Sequence, residues 1–344
     1  MPCFDSVEGF EIMSASDTTK EHINLHFSDD CLPGFEAATF ELPREEDGEL
    51  VATLIRTKDE TSPASPRPAV LYVHGFVDYF FQAHLAAQFE EAGFRFYALD
   101  LRRYGRSIRE NNRANMASSL DDYFNEITLA LRYIAQEHGR LSSLIAHSTG
   151  GLIASLYMDR GEERALVKGL VLNSPFLHFN LDKVSYLKTK VAAFVAHIAP
   201  NKTLPDRLPS TYGQTLHQDE KGEWKYDLEL KPLRGFPLYP SWFRMIHRGH
   251  RDIARGLALD VPVLSLCSSR SRSAVNDAPP QLLDFEADLV LNVDDIRTLS
   301  HQLGPDVSVK VIPGGMHDLT LSRRPAREQA LRSMVEFAKA QAPT

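Results

Sequence analysis

Six times between positions 69 and 313, a short and nearly unbroken apolar run is followed by a stretch of helical periodicity. That alternation constrains the fold more than any other feature of the chain. The runs are AVLYV (69–73), FRFYALD (94–100), LSSLIA (141–146), VKGLVLN (167–173), VPVLSLC (261–267) and VSVKVIP (307–313). Mostly apolar, with β-branched residues in five of the six, they have the pattern of strands covered on both faces of a parallel sheet. The stretches that follow, among them FQAHLAAQFEEAG, DDYFNEITLALRYIAQEHG, GGLIASLYMDRG, VDDIRTLSHQLG and PAREQALRSMVEFAKAQ, read as helices. Strand then helix, repeated, predicts an α/β protein with a doubly wound, mostly parallel sheet.

Two further strands precede this series, at 36–43 and 50–57, joined across the acidic turn REEDGE as a hairpin. A Pro/Ser loop follows at 61–68. Residues 1–35 are polar and weakly patterned, and are expected to form an arm. Between 177 and 256 the strand signal stops for 80 residues, too many for a structureless loop in a compact domain. A helical cap inserted after the sixth core strand is expected there, with the α/β core formed by 36–176 and 257–344. The insert holds 13 Lys/Arg against 8 Asp/Glu, a net of +5, so the remainder of this −8 chain carries −13.

An acidic balance argues against nucleic acid as a partner. Three scattered cysteines (Cys3, Cys31, Cys267) make no disulfide framework. The first residues include acids and lack an apolar core, so no secretory signal is expected, and no run approaches the roughly 20 apolar residues of a membrane span. A cytoplasmic protein without an integral membrane segment is the expectation.

The chemistry concentrates where LSSLIA meets GGLIASLYM, because Ser148 falls on that strand-to-helix turn. A nucleophile held there needs small neighbours, as in the pattern G-x-S-x-G. The pentapeptide is Ala146-His147-Ser148-Thr149-Gly150, with Ala in the first small position. The competing reading is a serine that caps the next helix. Against it, Gly150 and Gly151 weaken a helix start unless the helix must pack very close to a neighbouring backbone. An acyl-transfer serine also needs N–H donors for an oxyanion. These are expected from Thr149 and from Phe76 in the His74-Gly75-Phe76 turn after AVLYV. On its own, that turn also reads as a strand end with a core histidine.

Of the 13 histidines, His317 alone follows the last strand on a Gly-Gly loop, where a base reaches back to Ser148. The acid should lie between the last two strands, among Asp277, Asp284, Glu286, Asp288, Asp294 and Asp295. Asp288 is preferred because ADLVLNV puts an apolar run behind it, with Asp277 the alternative. Asp294 and Asp295 suit a helix N-terminus.

In chain order, HGF (74–76), DLRRYGRS (100–107), HSTGG (147–151), NSPF (173–176), ADLVLNV (287–293) and GGMHDL (314–319) resemble the α/β-hydrolase superfamily. Within it they resemble the branch of monoacylglycerol lipases, lysophospholipases and serine-aminopeptidase-like hydrolases. The likeness runs from about residue 36 to the end. It implies a cap between the sixth and seventh core strands, Ser148 as nucleophile, Asp288 as acid, His317 as base, and Phe76 and Thr149 as oxyanion donors, with no cofactor or metal. Two departures stand out: Ala146 replaces the usual Gly, and the long SRSRS loop moves the acid away from its strand.

The expected substrate is a small-molecule or lipid carboxylic ester. An amide is the alternative on the same scaffold, and a non-catalytic binding protein the alternative from another class. Trp224, Phe236, Tyr239, Trp242 and Phe243 either line a substrate pocket or hold the insert to the body. The +5 insert either favours anionic lipids or is a solvated face. Oligomeric state has no signature in the sequence.

Overall fold

The computed structural model describes residues 22–58, 67–139, 141–205, 208–272 and 279–342. Nine strands form one sheet: β1 (Ser28–Asp29), β2 (Phe35–Glu45), β3 (Gly48–Thr57), β4 (Ala69–Val73), β5 (Arg95–Asp100), β6 (Leu141–His147), β7 (Leu170–Asn173), β8 (Val263–Ser268) and β9 (Val307–Ile312). Their order is β1-β2-β3-β5-β4-β6-β7-β8-β9. From β5 to β9 every neighbouring pair is parallel, while β1, β2 and β3 join antiparallel at one edge. The mostly parallel α/β sheet expected from the apolar runs is the fold.

Helices α1 (Ala83–Glu91) and α8 (Arg324–Ala340) cover one face; α2 (Phe124–His138), α3 (Thr149–Arg160) and α7 (Val293–Ser300) cover the other. The strands divide their side chains accordingly. In β4, Val70 and Tyr72 pack with α1 and α8, and Ala69, Leu71 and Val73 pack with α2 and α3. Alternate pointing along a strand makes every residue of such a run a core residue, so the run is apolar without a gap. Helix α3 is buried from Thr149 through Met158, which explains why its sequence lacks a polar face.

Between β7 and β8 lie α4 (Lys183–Val195), α5 (Thr211–Leu216) and α6 (Pro240–Ala254). Helices α4 and α6 coincide with the stretches VSYLKTKVAAFVAHIA (184–199) and SWFRMIHRGHRDIARGL (241–257), whereas α5 falls in the Pro-, Gly- and Tyr-rich sequence between them. The N-terminal segment differs from a free arm over its described part. Strand β1 pairs with β2, Phe27 lies under the Arg56 guanidinium (3.8 Å), and Asp30 pairs with Arg106 at 2.7 Å. The Phe27 and Asp30 contacts join residues far apart in sequence, and β1 is only two residues long, so no local periodicity marks them. Most of the Pro/Ser loop and Asp277 lie outside the described residues.

Candidate active site

Ser148 leaves β6 with φ 51° and ψ −117°, a left-handed conformation unusual for a residue with a side chain. It stands at the start of α3 and yet makes no capping hydrogen bond with its hydroxyl. The hydroxyl lies 2.9 Å from His317 Nε2 instead, which sets aside the helix-cap reading. The turn is held by its backbone: the Ser148 N–H donates to the Asn173 carbonyl (3.0 Å), and the Ser148 carbonyl accepts from Phe176 and Leu152.

Small residues make the turn possible. A Cβ on Gly150 would overlap the His74 carbonyl oxygen and approach the Val73 carbonyl oxygen to 2.9 Å. On Gly151 it would press on Pro175 at 3.0 Å, and on Gly75 it would meet the Ser148 Cβ at 3.1 Å. Helix α3 therefore starts in contact with the backbone at the end of β4, the close approach that the paired glycines suggest.

His317 lies after β9, and its Nδ1 is 3.0 Å from Asp288 Oδ2. A carboxylate only accepts, so Nδ1 carries the proton and Nε2 is left to accept from the Ser148 hydroxyl. Asp288 is fully buried. Its other oxygen accepts the N–H groups of Val290 (2.8 Å) and Leu291 (2.7 Å), so the turn ahead of the buried Leu289 and Leu291 fixes the carboxylate. Residues 270–272 bridge to Asp288 in the parallel sense and return it to the sheet after the long loop. Ser148, His317 and Asp288 are thus brought together.

The turn bearing Phe76 is braced from both sides. His74 donates from Nδ1 to the Gly75 carbonyl (2.8 Å) and accepts the Leu101 N–H at Nε2 (3.1 Å). Asp100 accepts the Phe80 N–H (2.8 Å) and pairs with Arg106 (2.8 Å). Arg102 pairs with the buried Glu126 at 2.7 Å, so DLRRYGRS serves as scaffold beneath the turn. Among the described residues, the Phe76 and Thr149 N–H groups have no protein acceptor.

A second polar cluster lies beside Ser148, His317 and Asp288. Asp78, His147 and Asp318 are buried and each bring a ligating atom within 4.8 Å of the others. They are a poor metal cage, because the cation is already supplied: Lys231 Nζ sits 2.5 Å from Asp78 Oδ1. Asp318 Oδ1 is also occupied, accepting from Asn173 (2.7 Å) and twice from Thr320 (2.7 and 2.9 Å). Burial works to raise the Asp318 carboxyl, but the neighbouring His147 and these hydrogen bonds hold it below the ordinary carboxylate value. Burial depresses His147, whose ring lies 4.9 Å from that of His317. Tyr212, from α5, accepts the Asp318 N–H (3.1 Å) and sets its ring edge-on to His317. Lys231 and Tyr212 both come from the 177–256 segment, where no periodicity singles them out. For Asp318 the adjacency to His317 is a usable signal.

Two aromatic residues of that segment pack against the body. Trp224 stacks on His84 (4.4 Å) and donates to the Leu321 carbonyl (2.7 Å), holding the segment to the body. Trp242 lies against Phe76 (4.6 Å) and Phe176 (6.3 Å), over the turn that faces Ser148.

A mostly parallel sheet with a strained serine after one strand, and a His–Asp pair delivered from its C-terminal end, defines an α/β-hydrolase. The chain belongs to the family described as "Serine aminopeptidase, S33", which it matches over residues 64–323. A monoacylglycerol lipase of Mycolicibacterium smegmatis is 28% identical over 269 residues, covering 75% of this chain and 84% of the relative. Among solved structures, a soluble variant of monoglyceride lipase from Saccharomyces cerevisiae superposes with a TM-score of 0.64 at 14% identity, over 88% of this chain and 96% of the other. A carboxyl esterase from Bacillus coagulans gives 0.63 at 17% identity, over 88% and 98%. At these identities the structural matches bear on the fold.

Proposed function

We propose that this protein is a cytoplasmic serine hydrolase that cleaves carboxylic esters, monoacylglycerol- or lysophospholipid-like ones included, through an acyl-enzyme. The observation that carries the reading is the Ser148 hydroxyl 2.9 Å from a His317 nitrogen whose partner nitrogen is tied to Asp288. In this mechanism His317 takes the Ser148 proton as Oγ bonds to the ester carbonyl carbon. The N–H groups of Phe76 and Thr149 stabilise the resulting oxyanion. His317 then returns the proton to the departing alcohol, leaving the acyl group on Ser148. A water molecule, deprotonated by His317, attacks that acyl group, and the carboxylic acid leaves as the serine is reprotonated. Asp288 keeps the His317 tautomer and stabilises the imidazolium.

The ester reading draws on the relatives, which are named as lipases and esterases. The family's description favours a second reading, hydrolysis of an amino-acid amide. Monoacylglycerols, a lysophospholipid and amino-acid anilides, assayed side by side, separate the two. Turnover of the esters is expected, and turnover of the anilides alone would move the assignment. Ser148 and His317 are only 7% and 3% exposed, with Tyr212 against His317 and Trp242 against Phe76. Substrate entry therefore requires these side chains from the 177–256 segment to shift.

A further inference from the structure

Helix α4 lies on α6 by one face and leaves the opposite face without a protein partner among the described residues. Its inner contacts are Thr189 Oγ1 to His247 Nε2 (2.9 Å), the Tyr186 ring beside His247 (5.4 Å), and the Ala196 carbonyl accepting from Arg244 (3.3 Å). The outer face carries Val184, Leu187, Val191 and Phe194, and the following turn adds Ile198. Their spacings of 3, 4, 3 and 4 residues align them in a single stripe. They are 66%, 61%, 56%, 69% and 83% exposed, in a protein whose other large apolar residues are mostly in the core. An apolar stripe of this size on a surface marks an interaction site.

Charge identifies the partner. At about 100° per residue, Lys183 and Lys190 run along one edge of the stripe and Lys188 along the other. All three are exposed, Lys190 lying over the Tyr186 ring. From Lys183 to Lys202 there is no acidic residue. The 177–256 segment as a whole is +5 and the rest of the chain −13, so the charge separation turns this end of the molecule toward a negative surface. A second copy of the same helix would set lysine fringes against each other. A helix with an apolar face bordered by lysines fits an interface where apolar side chains enter the acyl region and ammonium groups meet anionic headgroups.

We infer that the outer face of α4 docks the protein on anionic lipid bilayers. The inference does not depend on the catalytic reading, because docking needs no turnover. The test is sedimentation of the full chain with phosphatidylcholine vesicles and with phosphatidylcholine/phosphatidylglycerol vesicles. Binding at least about tenfold tighter to the anionic vesicles is expected, falling as salt is raised. Val191→Asp/Phe194→Asp should abolish it, and Lys188→Glu/Lys190→Glu should weaken it by about 25-fold or more. Both variants should keep the wild-type melting temperature, since they change exposed side chains. Three results would overturn the inference. One is equal binding to both vesicles, and another is wild-type binding by the Asp variant at an unchanged melting temperature. The third is a wild-type dimer that the Asp variant converts to monomer, which would assign the face to a second copy.

Discussion

Replacing Gly150 by Ala sets two physical effects against each other, and the structure decides between them. Helix propensity alone would stabilise the variant by about 1 kcal/mol, since Gly is the poorer helix former. The new methyl, however, would overlap the His74 carbonyl oxygen and lie 2.9 Å from that of Val73. Both are backbone atoms at the end of a central strand and cannot swing aside. The start of α3 must retreat by on the order of 1 Å to restore contact distances. Overpacking of this kind costs about 1–3 kcal/mol, so a net loss of stability is expected. The displacement also falls between Ser148 and the His74–Phe76 turn, where a shift of about 1 Å costs roughly 100-fold in rate. Urea melts and p-nitrophenyl butyrate kinetics measure both quantities. Gly151→Ala meets the side of Pro175 at 3.0 Å and should be milder in each. A Gly150→Ala protein that is more stable than wild type and fully active would refute the argument.

Asp288→Asn removes the acceptor that selects the His317 tautomer, and a fall in kcat of about 10⁴-fold with little change in melting temperature is expected; near-normal kcat would assign the acid elsewhere. Lys231→Met leaves the Asp78 carboxylate buried and uncompensated, at a cost of about 3–5 kcal/mol in a urea melt. Lys231→Met/Asp78→Asn should recover most of that loss, and a strictly additive pair would show that the two do not interact. His250, 7% exposed, donates from Nε2 to the Phe176 carbonyl (2.9 Å), and burial lowers its pKa to about 3. Unfolded, it titrates near 6.5, so between about pH 6.5 and 3 the unfolded chain binds the extra proton. Its stability contribution is thus complete above that range and lost on acidification, by about 2 kcal/mol at pH 5. Melts of wild type and His250→Gln at pH 7.5 and 5 should differ in slope by that amount, and parallel slopes would contradict it.

The parts of the molecule that local chemistry specifies were legible in the sequence. The run AVLYV coincides with β4, whose five residues are all buried, because a strand covered on both faces favours apolar side chains. Gly150 and Gly151 announced a close backbone approach, and the apolar residues behind Asp288 announced a turn able to hold it. The remaining features are either too short for a pattern or depend on partners distant in sequence. Strand β1 is two residues long and exists through its pairing with β2. Helix α5 has six residues, too few for a period. Lys231 and Tyr212 look like ordinary residues of a polar stretch until the fold sets them on Asp78 and against His317. The outer stripe of α4 was visible as part of a helix, but only the position of α6 shows which face is covered.

The central claim is that the Ser148 hydroxyl, tied through His317 to Asp288, is a nucleophile and not a turn residue. Labelling of the folded protein by a fluorophosphonate probe, with mass spectrometry of the modified peptide, tests this directly. A single adduct on Ser148 is expected, absent in Ser148→Ala and strongly slowed in His317→Ala. An unlabelled Ser148 in correctly folded protein, or labelling that survives Ser148→Ala, would contradict the account.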